Sequence, residues 1–182
     1  MKYAICQINS SVGDLEYNYR KIIKYYKDSL TKGADIVIFP ELAITGYPPK
    51  DLLFEKKFID KNIYYSNKIS KISTVPIIFG YVKRNKDNLY NSALLCYNGE
   101  ARDSYNKKLL PNYDVFDEKR YFKNGDDLGL FTIEYNSITL TIGIQICEDL
   151  WDDNYDFKIS NMQKQDGADI IINLSASPYS VG

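Results

Sequence analysis

The sequence predicts an α/β fold in which sheets and helices pack in layers. Three patterns carry that expectation. Continuous apolar runs such as "ADIVIFP" and "ADIIINLS" have the length and composition of strands buried on both faces. Before the first of them, apolar residues recur every three and four positions, the period of an amphipathic helix. And "KGADIVIFPE" at 32–41 matches "DGADIIINLS" at 166–175. In both, a helix stops at glycine and Ala-Asp opens a strand. A polar residue, Glu41 or Ser175, then follows six positions after the aspartate. Two copies suggest a pseudo-duplicated layer structure; the alternative is that Gly-Ala-Asp is simply good helix-stop chemistry.

The elements follow in order. Residues 3–8 read as a short buried strand. A helix follows in which Leu15, Tyr19, Ile22, Ile23, Tyr26 and Leu30 form one stripe. Asp14 suits its N-cap and Gly33 its stop. "ADIVIFP" ends in Pro40-Glu41, "TGYPPKD" is a loop, and a second helix is expected from about Leu52 to Ser70. Strands are expected at about 75–83, 89–97 and 100–106, with Asn98-Gly99 a strong hairpin signal. Residues 108–129 form a long irregular segment, and a loop of that length with this aromatic content reads as functional rather than disordered. Strands resume at about 130–135 and 138–146, then a helix near 155–166 and the strand "ADIIINLS".

Composition narrows the chemistry. The 182 residues favour one domain, and a 45% hydrophobic fraction supports a sizeable core. A net charge of −1 with no basic tract argues against nucleic acid or an anionic membrane as partner. No apolar run approaches the roughly 20 residues that span a bilayer, and the N-terminus lacks a signal-peptide pattern. The three cysteines, Cys6, Cys96 and Cys147, have no metal-ligand spacing and suit a reducing cytoplasm. There is no histidine. A Ser-His-Asp triad, a Cys-His pair and histidine-ligated zinc are therefore excluded, and any catalytic base must be a carboxylate, lysine or tyrosine.

Three residues at strand ends stand out. Cys147 closes the run "TLTIGIQIC" and precedes a sharp acidic turn. A lone cysteine is more often core than nucleophile, but this turn can expose sulfur and aim backbone N–H groups, including that of Glu148, at an oxyanion. Glu41 reads either as a solvated loop residue or as a half-buried carboxylate whose pKa burial raises. Lys107, by default a surface charge, follows the strand "ARDSY" and could stabilise an oxyanion or a thiolate. Lys108 is its rival, on the opposite face if the strand alternates.

"FPELAITGYPPKDLLF", "YNKKLLPNYDVFDEKRYF" and "GIQICEDLWDD" together resemble the three signature regions of the nitrilase superfamily of carbon–nitrogen hydrolases. "LPNYDVFDEKRYF", "CEDLW" and "NLSASPY" are similar to one branch, the N-terminal glutaminase domains of glutamine-dependent NAD+ synthetases. The resemblance covers essentially the whole chain. It implies a four-layer α-β-β-α sandwich, with residues 1–182 one amidohydrolase domain incomplete at its C-terminal end. It implies Glu41 as general base, Lys107 as stabiliser of the tetrahedral intermediate and Cys147 as nucleophile. Glu118 matches a second glutamate that orders the site, and Tyr113, Phe116, Trp151 and Ser177 match the glutamine pocket. The implied substrate is glutamine, with no cofactor for amide hydrolysis. ATP, Mg2+ and deamido-NAD+ belong to an ammonia-accepting synthetase domain whose pyrophosphatase loop does not occur here. A homo-oligomer is the family's usual assembly. Other readings are a stand-alone amidase or carbamoylase of the same superfamily, or a non-catalytic fragment.

Overall fold

The computed structural model describes residues 1–177. The two Gly-Ala-Asp junctions explain how its layers close. Helix α1 (Leu15–Thr31) begins at Asp14, whose carboxylate accepts from Tyr17 N at 3.1 Å. It ends at Gly33, in the left-handed region at φ +72°, with Ala34 N donating to Ser29 O. Strand β2 (Ile36–Ile38) then runs parallel to β1 (Tyr3–Ile5). At the junction Asp35 Oδ2 accepts from Lys2 N at 2.7 Å, and Asp35 N donates to Lys2 O at 2.8 Å.

The second junction repeats this bond for bond. Helix α3 (Ile159–Gln165) stops at Gly167, φ +92°, with Ala168 N donating to Gln163 O. Strand β8 (Ile170–Leu174) runs parallel to β7 (Ile138–Ile146). Asp169 accepts from Thr141 N at 2.9 Å and donates its own N–H to Thr141 O at 2.8 Å. The glycine stops the helix, and the aspartate clamps the backbone of the neighbouring strand opposite the start of its own. The echo is thus one structural unit used twice, once in each sheet.

The first sheet has the order β1-β2-β3-β4-β5: β3 (Ile77–Asn85) joins parallel to β2, and β4 (Asn88–Tyr97) and β5 (Glu100–Asn106) follow as antiparallel hairpins. Asn98 and Gly99 both have positive φ, as a tight type I′ turn requires. The second sheet, among the described residues, is β6 (Leu130–Tyr135), β7 and β8. The inner faces meet through Ile36, Ile38, Ile78 and Leu95 on one side and Phe131, Ile142, Ile144 and Leu174 on the other. The outer face of the first sheet packs Val37, Phe39, Ile77 and Phe79 against α1 and helix α2 (Lys56–Ile72). On the second sheet, Gly143 leaves room for Gln163 of α3, whose amide oxygen would lie 2.8 Å from an added Cβ. The layer order is α-β-β-α, and no helix among the described residues is long and apolar enough to cross a membrane.

Element boundaries moved where local chemistry intervened. Strand β1 ends at Ile5, although Cys6 N still reaches Ile38 O at 2.8 Å. The second helix opens as a 3-10 turn at Lys50–Phe54, is broken by extended Glu55, and becomes α-helical only at Lys56. The third helix starts at Ile159 because Asp152 Oδ2 captures Ile159 N at 2.7 Å. The last residues of "NLSASPY", Pro178 and Tyr179, lie outside the described residues.

One close approach fixes where Glu41 sits. Pro40 O accepts from Gly80 N on β3 at 3.0 Å. A Cβ on Gly80 would come within 2.2 Å of Leu42 N and 2.7 Å of Glu41 Cα. The chain after β2 therefore lies directly on β3, which only glycine permits. Gly80→Ala is expected to cost about 1–3 kcal/mol by overpacking, read as a lowered urea midpoint with an unchanged m-value.

Candidate active site

The segments that follow β2 and β5 bring Glu41 and Lys107 into one buried cluster with Glu118, which comes from the 3-10 turn Glu118–Arg120. Lys107 is fully buried, and its Nζ donates to Glu41 Oε1 at 2.8 Å and to Glu118 Oε1 at 2.9 Å. Both lysines lie just beyond β5; Lys107 turns inward, while Lys108 points away and reaches Asp126 O at the surface. Glu41 has two further donors, Asn91 Nδ2 at 2.8 Å on Oε1 and Ala176 N at 3.1 Å on Oε2. Glu118 accepts a bond from Tyr47 OH at 2.9 Å, and its Oε2 has no partner among the described residues. Burial pushes the Glu118 carboxyl up, against the pull of Lys107. Lys107 is pushed the other way from what burial alone would do: Glu41 and Glu118 hold its ammonium firmly charged.

Cys147 is the residue on which the β7 strand turns into a 3-10 turn, Cys147–Leu150. It adopts φ +44°, an uncommon conformation for a non-glycine residue. The residue is 7% exposed, and its Sγ lies 3.6 Å from Ser177 Oγ. Burial raises the thiol pKa and Glu41 raises it further, while Lys107, Ser175 and Ser177 oppose them. The thiol thus shares an electrostatic environment with both members of the ion pair. At the start of the 3-10 turn the N–H groups of Cys147 and Glu148 have no acceptor within the turn. An activated carbonyl beside sulfur would find donors there and at Lys107.

A model of the carbon-nitrogen hydrolase family matches residues 2–182. The chain belongs to that family. It is 36% identical over its full length to the glutamine-dependent NAD(+) synthetase of Thermotoga maritima and 33% identical to that of Acinetobacter baylyi. It spans 31% and 32% of those proteins, about a third of their length. Among solved structures, the glutamine-dependent NAD+ synthetase of Acinetobacter baumannii, complexed with ADP, superposes with a TM-score of 0.89 at 34% identity. That likeness covers 99% of this chain and 33% of that one. An amidase from Nesterenkonia superposes with a TM-score of 0.80 over 96% of this chain and 64% of its own, at 18% identity, a likeness of fold alone.

The remaining residues singled out in the sequence distribute around this candidate centre. Phe116 and Ser177, with Tyr47, Pro48 and Val115, line a cavity of about 350 Å3. A second cavity of about 440 Å3 runs from Glu41 and Ser177 toward Asn9 and Ser10. Tyr113 is half exposed and donates to Glu148 Oε2 at 2.8 Å, which ties the aromatic loop to the turn after Cys147. Trp151 is not brought in: it is 65% exposed and lines neither of these cavities.

Four residues of this candidate centre escape sequence reasoning. Asn91 accepts Lys107 N on its backbone carbonyl and holds Glu41 with its side chain. Tyr47 fixes Glu118. Tyr155 joins Tyr113 on Glu148, at 3.1 Å. Asp149, pushed up to about 6 by burial, accepts from Lys108 N, Leu109 N, Ile146 N and Tyr105 OH. It straps the segment after Lys107 to the turn that carries Cys147. Asn91, followed by Ser92 ahead of the apolar part of β4, carried no readable signal; for Asp149 the signal was its place two residues after the cysteine.

The electrostatics set a pH test. With the thiol pKa raised, alkylation of Cys147 by iodoacetamide in the free protein is expected to be slow at neutral pH and still rising past pH 9. Glu41→Gln removes a charge that raises the thiol pKa and should shift the profile to lower pH. Lys107→Met should shift it to higher pH. Labelled-peptide mass spectrometry at Cys147 reads both shifts directly.

Proposed function

We propose that this chain hydrolyses the side-chain amide of glutamine and delivers the ammonia to a synthetase domain that makes NAD+ from deamido-NAD+ with ATP. The observation that carries the reading is the buried Glu41–Lys107–Glu118 cluster beside Cys147. Its support is the identity to NAD+ synthetases along the whole chain. The cavity beside Ser177 is at the small end of the range of about 300–1,000 Å3 for ligand sites, a size suited to one amino acid.

In this scheme the amide carbonyl carbon sits over Sγ. Glu41 takes the thiol proton as sulfur attacks. The oxyanion is held by Lys107 Nζ and the N–H of Glu148. Glu41 returns its proton to the nitrogen, ammonia leaves, and a γ-glutamyl thioester remains on Cys147. Glu41 then takes a proton from water, whose oxygen attacks the thioester, and glutamate departs with the thiol restored. Glu118 keeps Lys107 in place throughout, and Phe116, Tyr113 and Ser177 surround the substrate.

The test is ammonia release from glutamine together with intact-mass detection of the thioester. Cys147→Ala should be inert and Lys107→Ala slower by on the order of 10²–10³. A Cys147→Ala protein with wild-type ammonia release would end the reading. Hydrolysis of simple aliphatic amides in preference to glutamine would instead favour a stand-alone amidase.

A further inference from the structure

A cavity of about 750 Å3 lies away from the thiol. It is a groove between the start of α2, the β3–β4 hairpin and the segment Lys119–Lys123. Its floor is apolar: Leu53, Ile59, Leu89 and Phe122 belong to or pack on one small core cluster. Its walls are cationic. Lys56, Arg84, Lys86, Lys119, Arg120 and Lys123 line it against a single carboxylate, Asp87. That is a lining charge of +5 on a chain whose net charge is −1. Two of the cations are partly answered, Arg84 by Asp60 at 2.7 Å and Arg120 by Asp51 at 3.7 Å. The four lysines form no ion pair among the described residues. No basic tract exists in the sequence; the fold assembles one from three separate segments.

A second observation points to an anion independently. Helix α2 has 17 residues, and its first turn carries Lys56 and Lys57 with no acidic residue. Its N-cap residue, Glu55, makes no side-chain capping bond. The positive end of the helix dipole carries two lysines opposed only by Glu55, which destabilises the free state; Phe58 N and Ile59 N already donate to Glu55 O at 2.9 and 3.2 Å, and the N–H groups of Lys56 and Lys57 are left for another acceptor. An anion in the groove would reverse both penalties. A planar group has a partner too. Phe54 is 62% exposed at the rim, and the Arg120 guanidinium stacks over Phe54 and Tyr121, 5.9 and 5.5 Å from their centroids, leaving its N–H edge for oxygen.

We infer that this groove binds a di- or triphosphate group. A concave apolar floor flanked by lysines, an arginine edge and an uncapped helix start suits several closely spaced phosphate oxygens. A flat acidic protein face would leave that floor unfilled. The phosphates can belong to a nucleotide, with its base on Phe54, or to free inorganic polyphosphate. The inference does not rest on the amide-hydrolysis reading.

The test titrates the 182-residue chain at low salt with sodium tripolyphosphate, ATP, adenosine and poly-glutamate, reading calorimetric affinity and melting temperature. Tripolyphosphate and ATP should each bind with Kd below about 1 mM and raise the melting temperature. Tighter binding of ATP assigns a nucleotide, and equal binding assigns free polyphosphate. The triple variant Lys56→Ala/Lys86→Ala/Lys123→Ala should bind at least about tenfold more weakly. Lys56→Glu should melt higher than wild type without ligand and lose the ligand-induced rise, an outcome that misfolding cannot produce. The inference is overturned if neither phosphate compound binds at that concentration, if the triple variant binds as wild type, or if only poly-glutamate binds.

Discussion

Everything in the candidate centre depends on one ammonium group enclosed between two carboxylates. Removing three charges from water costs several kcal/mol for each ion, and only close pairing and satisfied hydrogen bonds offset it. The cluster meets those terms for Glu41, which has Lys107, Asn91 and the Ala176 N–H, and mostly for Glu118, which has Lys107 and Tyr47 but one unpartnered oxygen. One positive and two negative charges leave a net charge of −1 in a space that admits almost no water. That residual charge governs its neighbours. It holds Lys107 charged, and with burial it raises the Glu118 carboxyl and the Cys147 thiol.

Such a cluster must be delivered by backbone, because loosely held carboxylates would turn toward solvent. The fold does this with close approaches rather than with side-chain packing. Gly80 lets the Glu41 segment lie on β3. Gly125 sits where an added Cβ would meet Asn106 O at 2.1 Å, and its N–H holds Lys107 O. Asn91 grips Lys107 from the β4 side. Asp149 then ties the residues after Lys107 to the residue before Cys147 through three backbone N–H donors. The ion pair and the thiol are thus held by one continuous hydrogen-bonded frame.

The legible and illegible parts divide along that same line. Asp14, Gly33 and Asn98-Gly99 act locally, within a few residues of themselves, so their chemistry can be read from the chain. The Gly-Ala-Asp echo was half legible: its helix stop is local, but the bonds from Asp35 to Lys2 and from Asp169 to Thr141 span sequence distances no pattern encodes. Glu41 and Cys147 were marked by standing at strand ends after apolar runs, and Lys107 by following the strand "ARDSY". Asn91 and Tyr47 were not, because an asparagine in a strand and a tyrosine in a proline-rich loop read as ordinary until the fold sets each beside a carboxylate. The basic groove was hidden for the same reason, since its cations come from three segments that a count of charge along the chain averages away. Trp151 errs in the other direction: its motif suggested a pocket wall, and the turn that carries it leaves the indole in solvent.

The absence of histidine acquires a physical sense from the charge of the cluster. A thiolate beside an imidazolium is a neutral pair, but a thiolate added to this centre would raise its buried charge from −1 to −2. The resting thiol therefore stays protonated. Under the proposed scheme, moving that proton to Glu41 while sulfur attacks leaves the total at −1. The negative charge only changes position, from Glu41 to the oxyanion, and there it meets Lys107 and the N–H groups at the start of the Cys147 turn. A base that is itself anionic, already hydrogen-bonded and paired with a fixed cation lets charge migrate without accumulating. A free imidazole would have to gain charge in the same enclosed space. The carboxylate–ammonium pair is thus the form of base that this degree of burial allows.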